Sequence, residues 1–151
     1  MQKLLLRRPD IMIFDANDEP VVVVEVKAPT ADKTAEDQLS DALRRVEVRG
    51  ARSVYAMLVD TQTISLFSRQ GEGLSEPLFQ IATQDVLPFY DAEFTQKTIY
   101  HNYLTTLVEA WLRDCAYQWK SQTPPGYESL AAIGLTDRLR GGTTVREYSL
   151  A

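Results

Sequence analysis

Apolar residues first gather at Ile11-Met12-Ile13-Phe14. They give way to the turn formers Asp15-Ala16-Asn17-Asp18-Glu19-Pro20 and resume as the run Val21-Val22-Val23-Val24. The pattern predicts strands over Asp10–Phe14 and Val21–Val26 joined as a hairpin. Four successive valines leave no polar face, so the second strand is expected to be covered on both sides, as a central strand of an α/β sheet is. Ala28-Pro29-Thr30 breaks it. A helix is predicted over Asp32–Val48, because Ala35, Leu39, Ala42, Leu43 and Val46 recur at helical spacing, and Gly50 stops it. Strands over Ser53–Val59 and Thr63–Ser68 follow, giving the order strand, strand, helix, strand, strand.

The polar, Gly-bearing stretch 69–77 reads as a subdomain boundary. Beyond it, one long helix is predicted over Glu93–Gln122. Tyr100, Leu104, Leu107, Trp111, Cys115 and Trp119 lie on a stripe that Ile99, Tyr103, Val108 and Leu112 widen. Pro124-Pro125-Gly126 ends it, a short helix is expected over Leu130–Arg140, and an edge strand over Thr143–Leu150. The organisation predicted is an α/β core over 1–83, a small mixed sheet with flanking helices. A helical extension over 84–151 then packs on the core or forms a dimer interface. The width of the apolar stripe predicts a homodimer; alternatively, 93–151 covers the open face of the sheet.

Composition narrows the chemistry. The chain has 151 residues, 44% hydrophobic and 25% charged, enough for one ordinary core. Cys115 is the only cysteine and His101 the only histidine, which excludes an internal disulfide and multi-imidazole or cysteine-cluster metal sites. Any metal is therefore a hard ion held by carboxylates. No apolar run is long enough to span a bilayer, and Met1–Leu6 runs directly into Arg7-Arg8 rather than a signal peptide, so a cytoplasmic, non-membrane protein is expected. A net charge of −5 argues against a general nucleic-acid binder but leaves room for a local basic site. Arg7 and Arg8 precede Asp10, and Arg44, Arg45, Arg49 and Arg52 gather near one helix end, where they equally suit the helix dipole.

The residues that carry candidate chemistry are Asp10, Glu25 and Lys27. Alternation places Glu25 and Lys27 on one face of the strand, with Cα atoms roughly 6.5 to 7 Å apart. A Glu-x-Lys tripeptide alone is a weak signal. Its context is stronger: Pro9-Asp10 opens a strand after Arg8, a short hairpin follows, Glu25-Val26-Lys27 ends a buried valine run, and a helix comes next. In these elements the chain resembles the PD-(D/E)XK nuclease superfamily, the restriction-endonuclease-like fold, over roughly residues 7–68. Gln38 matches half of the Gln-x-x-x-Tyr element of type I restriction subunits and recombination nucleases; Ala42 stands at the Tyr position. The family's acidic helix ahead of the Pro-Asp strand has no room before Asp10. An N-terminal helix is thus expected to be missing from this chain, or another element to complete the sheet.

The resemblance implies a metal-dependent DNA nuclease. Asp10, Glu25 and the Val26 carbonyl would hold Mg²⁺ or Mn²⁺. Lys27 would serve as a positive charge that orients water and stabilises the transition state. Gln38 would position Lys27 or the nucleophile, and Arg8 and Arg45 would meet the nucleic acid. The opposing reading makes Glu25 and Lys27 an exposed ion pair at a strand end, Asp10 a turn residue and the protein a nuclease-fold module without catalysis, acting in assembly or interaction. His101 reads as a packing or surface residue. Trp111, Trp119, Tyr100 and Tyr103 read as core or dimer contacts rather than a base-stacking platform.

Overall fold

The structure is a computed structural model that describes residues 8–48 and 54–148. It is a mixed α/β protein built on a six-stranded sheet. The strands are β1 (Ile11–Phe14), β2 (Pro20–Val26), β3 (Tyr55–Val59), β4 (Thr63–Phe67), the two-residue β5 (Arg69–Gln70) and β6 (Gly73–Leu74), β7 (Phe79–Ala82) and β8 (Thr143–Arg146). The helices are α1 (Lys33–Val48), α2 (His101–Tyr117), α3 (Tyr127–Ala132) and α4 (Leu135–Leu139). Strand order is β7-β4-β3-β2-β1-β8, with β5 and β6 a separate small hairpin. All neighbours are antiparallel except β2 and β3, which α1 joins as a crossover.

The valine run occupies the middle of the sheet because both of its faces are covered. On one face Met12, Val23, Ala56, Leu58 and Phe67 pack against Ala35, Leu39, Ala42, Leu43 and Val46 of α1. On the other, Ile11, Val22, Val24, Val26, Met57 and Val59 pack against Leu104, Leu107, Val108, Trp111 and Leu112 of α2, with Leu130, Leu135 and Leu139 beside them. The buried part of the stripe, from Leu104 to Cys115, is thus used within one chain, while Tyr100, Tyr103 and Trp119 are exposed and are not core contacts. Segment 84–148 supplies one layer of the sandwich and, through β8, an edge strand to the same sheet. Among the described residues no helix is long and apolar enough to cross a membrane.

The single helix expected over 93–122 is not formed. Residues 83–96 make three short 3-10 turns, one carrying Pro88, and α2 runs only over His101–Tyr117. It stops because Asp114 intervenes. The Lys120 and Ser121 amides donate to the Asp114 carboxylate at 2.8 and 3.1 Å, and Gln118 turns left-handed with φ 57°. Gly134, at φ +81°, likewise divides the helix expected over 130–140 into α3 and α4. The boundary loop 69–77 holds the β5–β6 hairpin, and β7 had no counterpart in the sequence reading. The helix stop at Gly50, together with Arg7, Arg49, Arg52 and the end of the 143–150 strand, lies outside the described residues.

Gly142, between α4 and β8, is required by close backbone approach. A Cβ there would lie 2.1 Å from the Phe14 carbonyl oxygen and 3.0 Å from that of Leu139. Because the obstacles are backbone atoms, no rotamer change relieves them. Gly142→Ala is expected to cost about 2 kcal/mol or more, lowering Tm by about 4–8 °C. A thermal melt within about 1 °C of wild type would contradict the close approach.

Candidate functional site

Asp10 and Glu25 meet at one end of the sheet because of the β1–β2 register. Ile11 pairs with Val24, so Asp10 and Glu25 are the residues that follow that last pair on the two strands. Glu25 alternates with Val24 and Val26 along β2, and Asp10, just ahead of β1, reaches the start of α2 through His101. Asp10 and Glu25 are only 7% and 4% exposed, an unusual burial for carboxylates.

Each carboxylate has named neighbours. Asp10 Oδ2 accepts the Val26 amide at 2.7 Å in a buried bond that replaces the ladder hydrogen bond β1 no longer supplies. In an antiparallel pair a residue's N–H and C=O point the same way, so the Val26 carbonyl faces the Asp10 side as well. Asp10 Oδ1 lies 3.1 Å from His101 Nε2, and the Asp10 carbonyl accepts the Glu147 amide past the end of β8. Glu25 Oε2 is buried and lies 3.3 Å from Lys27 Nζ, whose side chain is partly open to solvent. The pair is therefore not the exposed strand-end ion pair of the opposing reading, since its carboxylate is inside.

The backbone after Lys27 is fixed from the β3–β4 turn. The Lys27 amide donates to Val59 O, and Pro29 O accepts both the Thr61 amide and its hydroxyl. Asp60 is buried and accepts the amides of Gln62 and Thr63 on one oxygen and that of Ala31 on the other. Asp32 then caps α1 through the Ala35 amide. Lys27 thus stands on a braced segment rather than a loose loop.

Gln38 is half-buried on α1, beside the sheet-facing stripe and one turn beyond Ala35. Arg8 is exposed, two residues from Asp10. Arg45 is elsewhere: it lies about 18 Å along α1 from Lys33, and its Nε donates to Asp41 at 3.1 Å. It does not join the other site residues. A cleft of about 710 Å³ lies between α1 and the β5–β6 hairpin, but Glu36, Asp37, Asp41, Glu72 and Glu76 line it, and it includes none of Asp10, Glu25 and Lys27.

His101, expected as a packing or surface residue, is exposed yet contacts Asp10. It opens α2, and the start of that helix is held by a polar cluster. Tyr103 donates its hydroxyl to Asp91 at 2.6 Å, and Lys97 reaches the same carboxylate oxygen at 2.9 Å. The Tyr103 hydroxyl, then Lys97 and the Glu93 amide, hold the Asp91 carboxyl well below its usual range, at about 2. A depressed carboxylate stabilises the fold above its unfolded value near 4, and that contribution is lost as pH falls from about 4 through about 2. Tyr103→Phe is expected to move the acid unfolding limb to higher pH while leaving neutral-pH stability less affected. Superimposable acid titrations followed by circular dichroism would argue against this role.

The donors present suit a hard divalent ion: two carboxylates at one end of the β1–β2 pair and a backbone carbonyl on the same side. Among the described residues no group of three or more His, Cys, Asp or Glu side chains is placed to hold a metal, so any ion there would depend on the carbonyl and on water. Comparison with protein-family models, curated proteins and solved structures finds no match.

Proposed function

We propose that this protein is a metal-dependent nuclease that hydrolyses DNA phosphodiesters from a restriction-endonuclease-like core formed by β1, β2, α1, β3 and β4. The observation that carries the reading is the meeting of Asp10 with Glu25-Val26-Lys27 across the β1–β2 ladder, with Asp10 bonded to the Val26 amide. Asp10, Glu25 and the Val26 carbonyl would hold Mg²⁺ or Mn²⁺, which when bound supplies a polarised phosphate and a water of lowered pKa. The chain's own residues do the rest. The Val26 amide fixes the plane of the Asp10 carboxylate. Lys27, braced by Val59 and the Pro29–Thr61 contacts, presents a positive charge to the phosphorane-like transition state from a partly open position. Gln38, half-buried on α1, would position Lys27 or the nucleophile, and Arg8 would offer a phosphate contact. Arg45 and a second chain form no part of the proposal.

One observation favours the alternative, a nuclease-fold module without catalysis that serves interaction or assembly. Asp10 is contacted on both oxygens and Glu25 is paired with Lys27, so both carboxylates already have partners within the chain. Incubating the protein with plasmid and oligonucleotide DNA in Mg²⁺ or Mn²⁺ separates the two. Divalent-dependent cleavage supports the nuclease, whereas intact substrate in both ions supports the module.

A further inference from the structure

The segment that leads into α2 lines a pocket that the proposed site does not use. Its volume is about 330 Å³, and its lining joins Pro29 and Thr61, on the segments leaving β2 and β3, to Phe94, Lys97, Thr98 and Ile99 ahead of α2. Phe94 and Ile99 are buried and apolar, whereas Thr98 and Gln84 are exposed and carry groups that donate and accept hydrogen bonds. Apolar surface with a few polar groups, at this size, suits one flat ring system with polar edges.

The pocket adjoins the proposed site on two sides. Pro29 is two residues beyond Lys27, and Ile99 is two residues before His101, which meets Asp10 at 3.1 Å. Two residues span at most about 7 Å of chain. Between Ile99 and His101 stands Tyr100, 73% exposed. The nearby Tyr103 ring has Lys97 over one face at 5.0 Å and its hydroxyl on Asp91, so Tyr100 is the open ring at this end of α2.

Charge narrows the occupant. A surface that tracks an intact duplex draws its affinity from lysines and arginines set against phosphates. Here Lys33, Arg44, Arg45, Arg113 and Arg140 are each paired with a carboxylate of the chain, and the net charge is −5. Affinity for DNA is therefore left largely to contacts with bases, which only an unpaired strand exposes on their faces and edges.

We infer that the pocket is a nucleobase subsite: it takes one unstacked base, Tyr100 stacks on an adjacent one, and the substrate is single-stranded or locally unpaired DNA. A base inside an intact duplex has its faces and pairing edge occupied and does not enter. The inference rests on the nuclease reading of Asp10, Glu25 and Lys27 and adds its substrate class.

Fluorescence anisotropy of the full-length protein in Ca²⁺, a hard ion that carboxylates accept, measures binding of labelled oligothymidylate and of a hairpin duplex of equal length. The single strand is expected to bind about tenfold or more tightly than the duplex. Tyr100→Ala is expected to weaken single-strand binding by about tenfold. Thr98→Trp, which fills the pocket from its exposed rim, should weaken it similarly, and neither change should lower Tm, because both positions are exposed. Equal binding of the two DNAs, or wild-type binding by either variant, overturns the inference, while cleavage in Mg²⁺ or Mn²⁺ then still upholds the nuclease. Single-strand binding that both variants weaken, with no cleavage by the wild type in either ion, supports the subsite and overturns the nuclease reading. Failure to bind or to cleave either DNA overturns both.

Discussion

Lys27→Met and Glu25→Gln are each expected to lower divalent-dependent DNA cleavage by about 10²- to 10³-fold, equivalent to about 3–4 kcal/mol of transition-state stabilisation. The two changes differ in what else they do. Glu25→Gln removes a buried negative charge and leaves Lys27 able to reach water, so the fold should lose little. Lys27→Met keeps the apolar stem but strips the buried Glu25 carboxylate of the ammonium 3.3 Å away, and should lower stability as well as activity. Thermal melts run beside the cleavage assay separate these losses, because an activity defect that follows Tm is a folding defect. Asp10→Asn adds a third test: its amide oxygen still accepts from Val26, so the backbone stays in place while the charge proposed to hold the metal is removed. Lys33→Ala, which disrupts only an exposed pair with Asp37, should cleave as wild type does. If Lys27→Met and Glu25→Gln both retain wild-type rates at equal folded fraction, the site assignment is wrong.

The half of the site on β1 and β2 was legible because strand geometry is local. Alternation puts Glu25 and Lys27 on one face, and the short turn 15–20 brings the two strands into register. The contact of Asp10 with the Val26 amide follows from where β1 ends, one residue beyond the paired segment. His101 was not legible. It stands 91 residues from Asp10, and no spacing in the chain records which end of α2 reaches which end of the sheet. Arg45 stands apart from Asp10 and Glu25 for the complementary reason: helical spacing places it on α1, but about 18 Å along the axis from Lys33, where it pairs with Asp41.

The fold shows the same division between local and tertiary signals. The valine run and the stripe on α1 announce burial directly, and both faces of the sheet are covered as four consecutive valines require. β7 carries too little apolar pattern to stand out, because only pairing with β4 makes it a strand. The stripe from Tyr100 to Trp119 continues at helical spacing without a break. Periodicity therefore extends the helix past Tyr117, while a competing acceptor on Asp114 ends it.

That acceptor makes Asp114 the position where a single change should cost most stability. Asp114 is fully buried, and its carboxylate takes the Tyr90 hydroxyl at 2.7 Å as well as the Lys120 and Ser121 amides. Asp114→Ala orphans all three donors and opens the turn that leads from α2 to α3. The expected loss is about 3–4 kcal/mol, with Tm falling by roughly 10 °C. Asp114→Asn keeps an oxygen for the two amides and should lose about 1 kcal/mol. Cys115, the only cysteine, gives an independent readout. Burial first, and the Asp114 carboxylate second, push its thiol up to about 12, so the native protein should react slowly with thiol reagents at pH 8. That raised value also makes the fold lose stability as pH climbs above about 9, where an unfolded thiol ionises and the buried one does not. If labelling proceeds through opening, 3 kcal/mol enlarges the open population about 10²-fold and speeds Asp114→Ala by that factor. Asp114→Asn removes the same charge yet keeps the turn, so it should remain within about tenfold of wild type. Equal acceleration in both variants would mean that charge, not the turn, protects Cys115.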